Sequence, residues 1–144
     1  MNKYSFIFVL FLLFVGRGIA QTKIEAKDGL HYITTNISYP VAGTYLFNGG
    51  EPTVELNADG TGWYQLHEQP KKAVIWGLEC DQAGAPKFKK GFDSAAYKLW
   101  YQYTNPESAE EVHWKEVPFT IHFNTLKMFI QGERSKDYTE PKRY

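Results

Sequence analysis

The chain has 144 residues, its 16 Lys and Arg are balanced by 16 Asp and Glu, and its isoelectric point is about 6.9. This length allows one domain with a core of its own. The neutral balance excludes the concentrated positive field that nucleic-acid binding requires, and it gives no support for an electrostatic membrane anchor, so we expect neither partner.

The first twenty residues have the pattern of a secretory signal peptide. Asn2 and Lys3 supply a short positive start, an apolar run covers residues 6–15, and residues 18–20 place Gly and Ala where a signal peptidase recognises small side chains. The apolar run is too short for a stable membrane span. Because position 21 is Gln and not Cys, a lipid anchor at that site is excluded. We therefore expect cleavage after residue 20 and a periplasmic or secreted mature protein.

The predicted mature chain has to fold without disulfides. Removal of residues 1–20 takes away Lys3 and Arg17 but no acidic residue, which leaves 14 basic and 16 acidic side chains in 124 residues. Cys80 is the sole cysteine, so it cannot pair within the chain. We expect Cys80 to be a small buried hydrophobe; the alternative is a reactive or intermolecular thiol.

From residue 31 onward, apolar and polar residues alternate with the period of half-buried strands. We expect strands at 31–37, 42–47, 53–57, 62–67, 73–79, 97–104, 113–123 and 126–132. Pro118 should lie at an edge, a bulge or a bend of its strand, because proline cannot donate to a β-ladder. Asp81–Ser94 is expected to be a long loop. We place the domain at residues 21–134, followed by a charged C-terminal tail at 135–144.

The clearest local signal is a hairpin centred on Asp59-Gly60. These two residue types adopt the positive φ of a tight turn, and alternating apolar residues flank them on both sides. Their predicted role is therefore structural. Asn124-Thr125 predicts a second hairpin. Eight short strands joined mostly by tight connections predict a single antiparallel meander that closes into a barrel, with a β-sandwich as the alternative.

Four short motifs stand out in this alternating pattern: Gly43-Thr44-Tyr45, Leu56-Asn57-Ala58-Asp59-Gly60-Thr61-Gly62, Ile75-Trp76-Gly77-Leu78 and Gly132-Glu133-Arg134. Together they resemble the small lipocalin-like (calycin-type) β-barrels that bacteria export. The resemblance implies a structural role for Tyr45, which stands where the lipocalin pattern has a tryptophan. It also implies that Arg134 packs beside that ring. It covers roughly residues 40–134.

The strand at 97–103 carries the side chains that most favour a ligand-binding site. Tyr97, Leu99, Tyr101 and Tyr103 share one face, while Trp100 points the opposite way. Aromatic side chains suit both a packed core and a ligand cup. If they line a barrel interior, an apolar or aromatic ligand could stack among them, and we include Trp76 in this candidate site. The alternative is that these side chains simply fill a small barrel.

The sequence offers no support for catalysis or for a cofactor. It lacks a G-x-S-x-G elbow and a glycine-rich phosphate loop, and its four histidines are scattered without metal-ligand spacing. Three glutamates at 107, 110 and 111 lie in an acidic turn, where solvated charge is the ordinary explanation.

Two functions therefore compete. The first is an exported, non-enzymatic barrel that binds a small apolar or aromatic molecule, with the Asp81–Ser94 loop near the entrance. The second is a periplasmic or secreted protein-interaction or inhibitor module of the immunity type. That module would use the loop residues Phe88 and Phe92 and the outward-facing tryptophans to bind a protein partner.

Overall fold

The computed structural model describes residues 21–140, and the predicted signal peptide lies outside them. Within this range no helix has the length and apolarity needed to cross a bilayer. The described residues form eleven strands and a 3-10 turn at Glu110–Val112. The strands are β1 (Thr22–Ala26), β2 (Gly29–Thr34), β3 (Gly43–Phe47), β4 (Gly50–Leu56), β5 (Thr61–Tyr64), β6 (Lys72–Cys80), β7 (Phe88–Lys90), β8 (Ser94–Tyr103), β9 (Lys115–His122), β10 (Lys127–Ile130) and β11 (Arg134–Asp137).

Eight of these strands form a closed antiparallel barrel. Its order is β3, β4, β5, β6, β8, β9, β10 and β11, and the pairing of β11 with β3 closes the ring. This confirms the predicted all-β class and the eight-stranded meander, and it excludes the sandwich. Closure removes the free strand edges that invite unwanted pairing.

The predicted hairpins both form. Between β4 and β5, Gly60 has a φ of +89°, and Asp59 Oδ1 accepts hydrogen bonds from the Thr61 backbone N–H at 3.0 Å and the Thr61 hydroxyl at 2.6 Å. Between β9 and β10, the four-residue connection places Leu126 at a φ of +52°.

The membership of the barrel differs from the prediction at both ends of the chain. The predicted strand at 31–37 corresponds to β2, which lies outside the barrel, paired with β1 and with the end of β6. β11 takes its place, so the predicted tail at 135–144 is wrong in its first residues. Tyr138 just beyond β11 is also buried. Alternation of apolar and polar residues does not predict β11, because the side chains that it turns towards the interior are those of Arg134 and Lys136.

The long loop predicted at Asp81–Ser94 also contains a strand. β7 pairs with the first half of β8, Phe88 opposite Tyr97. Pro118 lies within β9 rather than at a sheet edge, because it pairs with Lys98 of β8. On its other side the β10 ladder ends opposite Phe119, and the Pro118 carbonyl accepts a hydrogen bond from the Gln131 N–H at 2.9 Å.

Two apolar clusters hold the molecule together. The main core is inside the barrel and includes residues of seven of the eight barrel strands, all except β11. The second lies outside, where Ile24 and Ile33 of the β1–β2 hairpin cover Trp100 of β8. Trp100 therefore points away from the tyrosine face, as predicted, but the β1–β2 hairpin buries it.

The barrel has two ends, which we name by one residue each. β3, β8 and β10 begin at the Tyr97 end, and β9 and β11 end there. β11 begins at the opposite Arg134 end, where β3, β8 and β10 end.

Candidate functional site

The predicted tyrosine face does point into the barrel, and the middle of that face is packed against other side chains. Leu99 is fully buried, and the Tyr101 ring stacks on Tyr64 with centroids 4.2 Å apart and planes 8° from parallel. Tyr103 meets Tyr101 edge-on at 5.8 Å. Aromatic pairs of this geometry stabilise a core beyond their buried area. Leu99 and Tyr101 thus contact neighbouring side chains.

Burial also fixes the protonation state of these phenols. It raises the pKa of Tyr64 to about 12 and raises the pKa of Tyr101 further above the ordinary tyrosine value. Desolvation disfavours the charged form of a buried acid. The interior phenols therefore stay neutral across the physiological pH range.

Open space next to the tyrosine face lies at the Tyr97 end of the barrel. A cup of about 430 Å³ opens there, a volume within the range of small-molecule sites. We call it the Tyr97 cup. Its apolar lining includes Ile37, Tyr39, Phe88, Ala95, Tyr97 and Phe123.

Three separate segments build the Tyr97 cup. The β2–β3 connection brings Tyr39, whose ring lies 5.3 Å from Phe123 at the end of β9. β7 places Phe88 with its centroid 5.4 Å from the Tyr97 ring. The Phe123 N–H donates to the Asp93 carbonyl at 2.9 Å, which ties the end of β9 to the segment before β8. Tyr97 thus belongs both to the predicted ligand set and to an accessible cavity.

The polar edge of the cup carries a cation. Lys90, an exposed residue of β7, lines it together with Ser38 and Ser94. No ion pair forms between Lys90 and any carboxylate within residues 21–140. This segment belongs to the predicted Asp81–Ser94 loop, and the pairing of β7 with β8 brings it to the barrel mouth.

Arg134 closes the opposite end of the barrel. Its side chain is 1% exposed, and it donates from Nη2 to the Gln65 carbonyl at 2.8 Å and from Nε to the Pro52 carbonyl at 3.3 Å. The guanidinium lies 5.4 Å from the centre of the Tyr64 ring. The expected neighbour, Tyr45, is buried and donates its hydroxyl to the Val41 carbonyl at 2.5 Å.

Tyr103, the last predicted ligand residue, lines a smaller cavity of about 230 Å³ at the Arg134 end. The Lys72 side chain also lines this cavity. It pairs with Glu111 at 2.5 Å and with Glu107 at 3.3 Å. Hydrogen bonds to these carboxylates raise the pKa of Lys72, and the bond from Lys72 lowers the pKa of Glu111. This cavity is ionic and lacks the apolar character of the Tyr97 cup.

The Trp76 side chain is hydrogen-bonded to the β4–β5 turn. Its indole N–H donates to the carbonyls of Asn57 and Thr61, both at 3.0 Å, and the side chain is 3% exposed. Its indole N–H therefore holds the Asp59-Gly60 turn, and Trp76 lies outside the Tyr97 cup.

An ionisable cluster lies outside the barrel, and no sequence motif indicates it. His31 on β2 lies between two carboxylates, with Nδ1 2.6 Å from Glu79 Oε1 and Nε2 2.8 Å from Asp28 Oδ1. Glu79 is buried and accepts a further hydrogen bond from the Trp100 indole at 3.3 Å. Burial lowers the pKa of His31, but the hydrogen bonds to Asp28 and Glu79 outweigh it and raise the pKa overall.

Residues 21–140 contain no group of three or more His, Cys, Asp and Glu side chains that could hold a metal ion. Cys80 is 1% exposed, and burial raises the pKa of its thiol. A buried thiol with a raised pKa is a poor nucleophile. This fits the prediction of a small buried hydrophobe.

Comparisons with protein family models, with curated proteins and with solved structures found no match to this chain. Inference about its function therefore depends on its residues and their geometry.

Proposed function

We propose that this protein is an exported, non-enzymatic, lipocalin-like barrel that binds a small apolar or aromatic molecule in the Tyr97 cup. The observation that supports this proposal is the cup itself. A cavity of about 430 Å³ at one end of the closed barrel is lined by the four aromatic rings of Tyr39, Phe88, Tyr97 and Phe123. Burial of a flat apolar molecule among these rings would release ordered water and gain dispersion contacts.

The site of binding is at the mouth of the barrel rather than at its centre. Tyr101 already has a stacked aromatic partner in Tyr64, so a ligand there would have to displace a core contact. Phe88 is 56% exposed and gains burial if a ligand covers it. Of the predicted ligand residues, Tyr97 is thus the one that contacts the ligand in this proposal.

The side chains that line the cup favour ligand binding over catalysis. Its polar side chains are those of Ser38, Tyr39, Lys90, Ser94 and Tyr97, and the lining contains no His, Asp or Glu that could activate a hydroxyl or amine as a nucleophile. Lys90 is the cationic group of the lining, and it is exposed.

The lipocalin-like part of the proposal is supported by two features. The barrel is an up-and-down meander of eight strands, and Arg134 is buried at one end. The aromatic ring beneath this arginine is Tyr64, on β5, and not Tyr45, the last residue of the Gly43-Thr44-Tyr45 motif. The resemblance therefore extends to architecture more than to this contact.

Binding can be tested with N-phenyl-1-naphthylamine, a neutral aromatic dye whose emission rises in apolar surroundings. We expect saturable binding and an increased melting temperature, because a ligand that binds only the native state stabilises it by mass action. Phe88→Ala should weaken binding about tenfold, since it removes a ring that the ligand covers.

Phe92→Ala is the matched control, because Phe92 is fully exposed in the same segment but does not line the cup. Binding in Phe92→Ala should equal that of the unaltered protein. If the dye neither saturates nor shifts the melting temperature, or if both variants lose it equally, the Tyr97 cup is not the ligand site.

Export is a separate part of the proposal and has its own test. Intact mass measurement of protein from the periplasmic or extracellular fraction should give a chain that begins at Gln21. Recovery of the full-length chain from the cytoplasm alone would contradict it.

A protein-binding role is the second candidate, and one observation favours it. Phe92 is 100% exposed and Phe88 is 56% exposed on the same short segment, which is unusual for two phenylalanines without a partner. Trp63 at 45% exposure is a further outward ring, whereas Trp100 is buried by the β1–β2 hairpin. If this role is correct, a stoichiometric partner should co-purify under mild conditions and be lost in Phe92→Ala.

A further inference from the structure

A second pocket lies on the outside of the barrel wall. It has a volume of about 370 Å³ and is formed where the ends of the β1–β2 hairpin meet the β4–β5 turn. We call it the Trp114 pocket. Its lining includes Thr22, Thr35, Asp59, Ile75, Trp76 and Trp114. No residue is shared with the Tyr97 cup.

The carboxylate in this pocket is held in place before any ligand arrives. Asp59 Oδ1 accepts two hydrogen bonds from Thr61, one from the backbone N–H at 3.0 Å and one from the hydroxyl at 2.6 Å. The Thr61 carbonyl in turn accepts the Trp76 indole N–H at 3.0 Å. A binding group fixed in this way loses little conformational freedom when it binds.

Several polar groups of the pocket have no partner within residues 21–140. The hydrogen bonds of Asp59 all use Oδ1, so Oδ2 remains as an acceptor. The hydroxyls of Thr22 and Thr35 and the indole N–H of Trp114 make no hydrogen bond there either. The pocket therefore offers a carboxylate acceptor, an indole donor and two hydroxyls that can do both.

Trp114 supplies the aromatic ring that a ligand can reach, since the Trp76 side chain is 3% exposed and packs in the barrel core. Trp76 and Ile75 belong to β6, and the half-buried Trp114 precedes β9. Because the lining contains a carboxylate and no Lys or Arg, an anion would be repelled. An apolar molecule would leave the donors and acceptors without hydrogen bonds.

A ligand that suits this lining carries several hydroxyls and also an apolar C–H face. A pyranose sugar has both: its hydroxyls can donate to a carboxylate and accept from an indole N–H, and its C–H face packs on aromatic rings. We propose that the Trp114 pocket binds a neutral pyranose sugar. This site is independent of the Tyr97 cup, and either one can exist without the other.

The test uses methyl β-D-glucopyranoside and methyl β-D-galactopyranoside as probes, titrated into the folded protein. Intrinsic tryptophan fluorescence and ligand-observed NMR report binding, since the half-buried Trp114 lines the pocket. We expect saturable binding of at least one glycoside with a Kd on the order of 1 mM. Trp114→Phe keeps an aromatic ring but removes the donor, and Thr35→Val keeps the shape but removes the hydroxyl. Each should weaken binding about fivefold.

Trp63→Phe is the matched control, because Trp63 is exposed and lies outside the pocket. It should leave binding unchanged, and all three variants should keep the far-ultraviolet circular dichroism of the parent. The proposal is overturned if neither glycoside saturates up to about 100 mM, or if Trp114→Phe and Thr35→Val bind as well as Trp63→Phe does. It is also overturned if cyclohexanol or tetramethylammonium binds more tightly than both glycosides, since the pocket would then select for apolarity or for positive charge.

Discussion

At the scale of single residues, the charged groups of this protein divide into exposed pairs and a few buried groups. Lys98 and Glu116, for example, form a surface pair at 3.7 Å, and pairs of this kind contribute little to stability. Arg134 and Glu79 are buried and His31 is half-buried, and each is held by specific hydrogen-bond partners. Predictions about single residues therefore concern this second group.

The first prediction concerns pH. The folded state holds the His31 proton more tightly than the unfolded chain, so its ion pairs stabilise the fold fully below the ordinary histidine pKa of 6.5. This stabilisation is lost as pH rises through the raised pKa of the folded state. Urea unfolding over a pH series should therefore show a free energy of unfolding that falls as pH rises from 6.5 through the raised pKa of His31.

His31→Gln should flatten that part of the profile, whereas His113→Gln should not, because His113 is exposed and forms no ion pair in the described part of the chain. A profile that keeps its slope in His31→Gln would show that another group is responsible.

The second prediction concerns Arg134. Arg134→Leu should lower the free energy of unfolding by about 2–4 kcal/mol, because the carbonyls of Gln65 and Pro52 would lose their buried donor. Lys127→Leu removes a cation from the neighbouring strand, where it pairs with Asp137 at 3.8 Å on the surface. That control should change stability by less than about 0.5 kcal/mol. Equal losses in the two variants would contradict a structural role for Arg134.

At the scale of elements, the strands that cover the barrel matter as much as those that form it. β7 brings Phe88 to the Tyr97 cup, and the β1–β2 hairpin covers Trp100 and supplies Thr22 and Thr35 to the Trp114 pocket. The hairpin can approach β6 because Gly77 has no side chain. A Cβ at this position would lie 2.8 Å from the Ile33 Cβ.

Gly77→Ala should therefore destabilise the protein by about 1–3 kcal/mol, the usual effect of overpacking a filled core. The loss should be local: hydrogen exchange should accelerate in β1 and β2, and Trp100 fluorescence should report contact with water. Gly50→Ala is the control, since a Cβ there meets no atom within 4 Å. Unchanged exchange in β1 and β2 of Gly77→Ala would contradict this account of the hairpin.

At the scale of the whole molecule, closure of the barrel depends on a strand of four mostly polar residues. β11 pairs with β10 on one side and with β3 on the other. Without it, Met128 and Ile130 would lose cover and the edges of β3 and β10 would be exposed.

A chain that ends after Glu133 should therefore fail to unfold cooperatively and should lose its near-ultraviolet circular dichroism. A chain that ends after Glu140 keeps every described strand and should melt within a few degrees of the intact protein. If the shorter chain also melts cooperatively at that temperature, β11 does not hold the barrel closed.

The sequence by itself determined the class of fold, the hairpins and the orientation of the tyrosine face. These follow from local rules: a period of two places Tyr97, Leu99, Tyr101 and Tyr103 on one side of β8, and Asp59-Gly60 satisfies the backbone of a tight turn. Such signals need only neighbouring residues.

The tertiary structure alone decided which strands close the barrel and where space remains. β11 is a strand because two partners satisfy its backbone, although its inward Arg134 and Lys136 give no apolar pattern. Tyr101 packs on Tyr64 and Tyr97 lines a cup because of side chains that lie far away in sequence. Long-range pairing and side-chain volume are collective properties of the packed chain, so no local pattern of residues determines them.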